Sequence, residues 1–323
     1  MKLNQKFSLS RLATVALAFA AVSPLIAHAD GLASARLEIS NFQFAYNVAQ
    51  VSVTAAASVG NTSAATFNNL VATPTLSIGQ SISIVGPQSG LFDQNAQIVS
   101  LAMSGNYAGG FANQTGSGLV GGGGALALTA ATVSLNPLGN PFNSSSGSNT
   151  VTQQFDVVVA GPAVANVGLT FNADLFLRAY LNATPGVFLG GSSTAFTNWR
   201  LEVFRISTTG GQNLRIAEWT PSATGNAFTV ACNPLFITNC TQAASYDLGQ
   251  SVNAFSSIEN SFVDAGNGNF SFNANLLGSE RYRFGVTHIS NANANLQIPE
   301  PGSLALIGLA LVGAAVASRR RNA

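Results

Sequence analysis

An all-β fold, a single β-sandwich of jelly-roll type, is what this sequence predicts, and three observations carry it. Apolar residues recur at every second position in many short stretches, the signature of strands with one buried face. Between residues 30 and 297 no long stretch repeats apolar residues at the helical period. Clusters of Gly, Asn, Ser and Thr punctuate the stretches, as turns do between the strands of a sandwich.

The strands come in order. Ala35, Leu37 and Ile39 alternate with Arg36, Glu38 and Ser40, and after Asn41 the phase flips to Phe42, Phe44 and Tyr46. A phase flip of one residue predicts a bulge or turn at Asn41. Val51–Ala55, Ile82–Ile84, Phe155–Val159, Leu169–Phe171 and Phe270–Phe272 read as further strands. Leu175, Leu177, Ala179 and Leu181 oppose Phe176, Arg178 and Tyr180, so both faces of that strand are expected to be covered. Trp199–Ile206, a turn at Thr209-Gly210-Gly211 and a return over Leu214–Trp219 form the clearest hairpin. Arg281–Ile289 is the last strong strand. Gln94–Met103 is ambiguous between strand and helix. Gly121–Gly124 and Asn143–Asn149 read as flexible loops, and Asn291–Asn295 as a linker. One sandwich is preferred to two domains divided near Ser144–Ser148.

The two ends have a different character. Lys2, Lys6 and Arg11 precede the apolar stretch Leu12–Ile26, and Ala27-His28-Ala29 offers small residues at the two positions a signal peptidase reads. At the other end Ile298-Pro299-Glu300-Pro301 leads into the apolar run Gly302–Ala317, closed by Arg319, Arg320 and Arg321. Each proline lacks a donor and holds its predecessor extended, the form a processing cleft binds. As a helix the run is about 24 Å long at 1.5 Å per residue, against a hydrocarbon core of about 30 Å. Arginine stems can snorkel to make up the difference. Three arginines after the span place its end in the cytoplasm and the bulk of the chain outside. The organisation expected is a signal-peptide helix over 1–29, the sandwich over 30–290, a linker over 291–297, and a sorting segment with a transmembrane helix over 298–323.

This tail resembles the PEP-CTERM sorting signal of Gram-negative bacteria, with triplet, hydrophobic span and arginine cluster in that order. Ile298 stands where valine is common. The resemblance implies export across the inner membrane, temporary anchoring by the tail, and processing near the triplet by an exosortase, a membrane transpeptidase-like enzyme. It also implies association with exopolysaccharide and biofilm matrix. The partners expected are therefore signal peptidase, exosortase, the inner membrane for a time, and exopolysaccharide.

Composition limits the chemistry of the exported part. Both lysines precede residue 30, and Asp30–Gln297 holds seven arginines against eleven acids, a balance of −4. That offers no basic face to a nucleic acid. Asn, Ser, Thr, Gln and Gly do the solvating, which suits a hydrated polysaccharide. Cys232 and Cys240 form an even pair in an oxidising compartment, so a disulfide is expected.

No enzyme, cofactor or metal is expected. His288 is the one histidine after the signal peptide; it shares a face with Phe284 and Val286, which predicts packing, and no Gly-x-Ser-x-Gly elbow accompanies it. A secreted glycoside hydrolase would need two facing acids, with Asp174, Glu202 and Glu218 as candidates. Pairing with Arg200 or Arg215 is the expectation for the two glutamates. Asp264–Asn269 reads as a polar turn without the acidic density of a calcium loop. Trp199, Trp219 and Tyr180 are the candidate sugar platforms of a lectin-like module, with core packing the expectation for each. The reading is an exported, non-enzymatic surface or matrix protein.

Overall fold

Two antiparallel sheets face one another in the computed structural model, which describes residues 29–77, 80–85, 107–115, 125–135, 142–183, 190–207, 211–222, 228–255 and 258–297. The strands among them are β1 (Ala29–Tyr46), β2 (Val51–Phe67), β3 (Leu70–Val71), β4 (Thr75–Ser77), β5 (Gln80–Val85), β6 (Tyr107–Thr115), β7 (Ala125–Leu135), β8 (Phe142–Val159), β9 (Ala165–Ala183), β10 (Gly190–Arg205), β11 (Leu214–Trp219), β12 (Phe228–Val230), β13 (Ile237–Ala244), β14 (Gln250–Ala254), β15 (Ile258–Leu276) and β16 (Arg281–Gln297). The first sheet runs β13-β15-β9-β1-β7-β6-β5-β4 and the second β12-β11-β10-β16-β8-β2-β3, with β14 also on β10. No helix among the described residues is long and apolar enough to cross a membrane. Residues 1–28 of the expected signal peptide, the transmembrane span, Gln94–Met103 and Gly121–Gly124 lie outside the described residues.

Alternation decides which side chains meet between the sheets. Ala33, Ala35, Leu37 and Ile39 of β1 face inward, and a register shift between Ile39 and Phe42 lets Phe42 and Phe44 face inward too. Asn41, the expected bulge, has φ 53°, a left-handed conformation that Asn tolerates better than most residues. The hairpin β10–β11 sets Leu201 opposite Trp219 and Glu202 opposite Glu218, as its alternation predicts. Phe176 and Arg178 on the outer side of β9 are buried along with the inner residues.

The core changes character along its length. At one end it is aromatic. Phe171 lies 4.5 Å from Trp199 and 5.0 Å from Phe270, Trp199 meets Trp219 edge-on at 5.5 Å, and Phe155 stacks on Phe284 at 5.3 Å. At the other end small residues bring the sheets close. A Cβ on Gly147 would fall 2.6 Å from the Gly109 carbonyl oxygen, and Asn149 donates its amide to the Ala130 carbonyl at 2.6 Å.

Three segments correct the sequence reading. Asn143–Asn149, expected as a flexible loop, is the first part of β8, paired throughout with β16 and from Ser145 onward with β2 as well. Asn291–Gln297, expected as a linker, is the last part of β16 and pairs with β10 and β8. Ala292, Ala294 and Leu296 are its buried face. Asp264–Asn269, expected as a turn, stays within β15, where a bulge at Asp264–Gly266 is relieved by the positive φ of Gly266. Ladder hydrogen bonds come from the backbone, so polar, low-complexity sequence forms strands wherever neighbours supply partners.

Cys232 and Cys240 form the expected disulfide, with Cα atoms 6.4 Å apart. It pins the loop before β13, and closing so short a loop contributes about 2–3 kcal/mol in the chain-entropy account.

Candidate functional site

The proposed sugar platforms are not surface rings. Trp199 and Trp219 are 1% and 0% exposed, and both meet Phe171 between the sheets. This corrects their candidacy as sugar-binding residues, because a ring at the centre of a core cannot stack on a pyranose. Tyr180 is half-buried on the outer side of β9, separate from the tryptophans.

The candidate carboxylates are engaged with arginines. Glu202 and Glu218 are opposite one another, and Arg215 reaches both, at 3.1 and 2.5 Å. Arg200 adds a contact to Glu202 at 3.4 Å. Asp174 belongs to the other sheet and pairs with Arg36 at 3.4 Å, which also contacts Glu38. No group of three metal-binding side chains occurs among the described residues.

His288 packs between the sheets at 1% exposure, with its Nε2 2.8 Å from Thr129 Oγ1; Thr129 also meets Ser290 Oγ at 2.6 Å. Gln153 lines the same small cavity. Burial pushes the imidazole pKa down to about 3, so the folded protein holds it neutral. The unfolded chain takes up a proton near the ordinary value of about 6.5. Stability is thus full above about pH 6.5 and falls as pH drops toward 3, because there only the unfolded state binds the proton. Urea melts between pH 7 and 4.5 should show that decline, and His288→Gln should flatten it; an unchanged slope would assign acid sensitivity to other groups.

An open groove lies on the outer face of the first sheet, with a volume of about 370 Å³. Asn41 and Gln43 of β1, Thr170 and Asn172 of β9, and Asn269 and Ser271 of β15 line it. The amides are chained: Asn41 Nδ2 donates to Asn172 Oδ1 at 3.2 Å, and Asn172 Nδ2 to Asn269 Oδ1 at 2.6 Å. Every polar group of that lining is neutral. Such an array can exchange several hydrogen bonds with a polyhydroxylated ligand, each side-chain amide offering donors and an acceptor. The sequence reading missed it. Its only trace is a polar residue at each second position in three separate stretches, and register alone brings these together.

The two expected sorting segments adjoin the first and last strands of the sandwich. β1 begins at Ala29, one of the two expected signal-peptidase residues; Ala27 lies outside the described residues. β16 ends at Gln297, opposite Gly190 on one side and Phe142 on the other. Pro299, Glu300 and Pro301, and Arg319, Arg320 and Arg321, lie outside the described residues. No curated protein and no solved structure matches the chain. A family description does match, the PEP-CTERM protein-sorting motif, over residues 297–321. The chain therefore carries a PEP-CTERM sorting signal that begins where β16 ends, and with it the implication of export by an exosortase-type system through a membrane-anchored precursor.

Proposed function

We infer that this is a non-enzymatic protein of the cell surface or biofilm matrix, released there after exosortase processing. The sorting motif over residues 297–321 carries the reading. The sandwich supports it: candidate acids are tied to arginines, the histidine is buried, and much of the surface is amide and hydroxyl. We read the connectivity as jelly-roll in type, because the chain crosses between sheets from β1 to β2, from β7 to β8, from β8 to β9 and from β9 to β10. Replacing Pro299, Glu300 and Pro301 by alanine should leave full-length protein in the inner membrane and abolish its release, as read by fractionation and mass spectrometry. Undiminished release of protein shortened near residue 299 would overturn the reading.

A second reading is a lectin-like module for neutral exopolysaccharide. The chained amides of Asn41, Asn172 and Asn269 favour it, since they form an uncharged hydrogen-bonding surface. The producer's own exopolysaccharide should then retain the mature protein in a pull-down, with soluble sugar competing. Asn172→Ala, at the centre of the chain of amides, should weaken retention without shifting the melting temperature. Equal retention of the variant would remove the groove from consideration.

A further inference from the structure

Both junctions with the sorting segments leave the sandwich at the same end. Ala29 stands opposite Ala183 at the start of β1, and Gln297 stands opposite Gly190 at the end of β16. The two strands belong to different sheets but meet there. A Cβ on Gly31 would lie 3.3 Å from the Leu296 side chain, and Ser193 of β10 donates to the Leu32 carbonyl. Any anchor before residue 29 or after residue 297 thus holds the protein by one pole.

The tether on the C-terminal side is short. Only Ile298-Pro299-Glu300-Pro301 separates Gln297 from the apolar run that starts at Gly302. Four extended residues reach about 14 Å. A headgroup layer is about 5–8 Å thick on each side of the hydrocarbon. While the tail spans the bilayer, the end of β16 cannot stand far above the lipid.

The same pole differs chemically from the far one. In the second sheet, residues 59–67, 142–150, 190–197 and 290–297 contain no charged side chain. The far end carries Arg205 with Glu280 at 2.9 Å, and Asp156 with Arg281 and Arg283 at 2.6 and 2.8 Å. Burial pushes the Asp156 carboxyl up, and the two guanidiniums outweigh it and hold it below its ordinary value. Leu70, Val71 and Phe255 are exposed at the tethered pole, at 61%, 72% and 61%. Val48 and Leu235 are exposed at the far end too, the end that carries those ion pairs, and charged groups resist desolvation. The first sheet adds two acids to this pole, Asp30 on β1 and Glu259 on β15, the second accepting from the Phe255 N–H at 2.7 Å; the second sheet's share of it, uncharged and with exposed aliphatic and aromatic side chains, is the part that can approach an interface at little cost.

We propose that this pole is a lipid-facing surface: in the anchored precursor it rests on the outer leaflet of the inner membrane, with Leu70, Val71 and Phe255 at the headgroups. This rests on the sorting reading, and the test separates the two. Full-length precursor is reconstituted into liposomes of phosphatidylethanolamine and phosphatidylglycerol, with a single fluorophore on Leu70→Cys, Phe255→Cys or Val48→Cys. The native cysteines are paired in a disulfide and leave the introduced thiol as the labelling site. These positions are exposed, and melting curves verify that each variant folds. Nitroxide-bearing lipids should quench the labels at 70 and 255 several-fold more than the label at 48. Equal quenching in precursor that floats with the liposomes would overturn the lipid-facing pole and leave the sorting reading intact. Precursor that fails to float would overturn both.

Discussion

Trp219→Ala is expected to cost about 3–5 kcal/mol of stability, the range for removing a large buried ring. The ring is fully buried, edge-on to Trp199 at 5.5 Å and stacked near Phe272 at 5.8 Å. Trp199→Ala should cost as much, because Phe171 packs against it at 4.5 Å. The two losses should not add, since both open the same space around Phe171. Denaturant melts of the mature protein check this. A loss below about 1 kcal/mol would place the rings at the surface, where aromatic contacts carry that magnitude. Retained exopolysaccharide binding by a destabilised but folded variant would separate these tryptophans from any sugar site.

Ending the chain at Ser290 should prevent folding altogether. If Asn291–Gln297 were a linker, its removal would change nothing. In the structure it supplies the rungs that join Gly190–Phe196 of β10 to Phe142–Ser148 of β8. Deleting it orphans backbone donors and acceptors on both neighbours and uncovers the space filled by Ala292, Ala294 and Leu296, all 3% exposed or less. Circular dichroism of proteins ending at Ser290 and at Gln297 provides the comparison. A cooperative melt for the shorter one would return the segment to linker status.

Much of this architecture is legible in residue pattern, and the exceptions share a cause. Strongly apolar alternation marks the hairpin of Trp199 and Trp219, and the flip at Asn41 marks its bulge. The disulfide follows from two cysteines in an exported chain. Asn143–Asn149 and Asn291–Gln297 are hidden because, Leu296 apart, their buried residues are Gly147, Asn149, Ala292 and Ala294, whose apolar contrast with their neighbours is slight. Alternation is present in Ala292, Ala294 and Leu296 but faint. The groove of Asn41, Asn172 and Asn269 depends on the register of three strands from distant parts of the chain, which no local pattern carries.

The central place of β16 bears on when the protein can fold. Its neighbours β8 and β10 are made and exported earlier, yet they do not pair with each other and must wait for it. Until Gln297 clears the export channel, the second sheet has two bare edges facing an unfilled slot. Bare edges recruit strands from other chains, and pairings separated by more than a hundred residues, such as Arg281 with Val158, form slowly. Folding is therefore coupled to completion of export, and the protein spends its most aggregation-prone interval at the membrane.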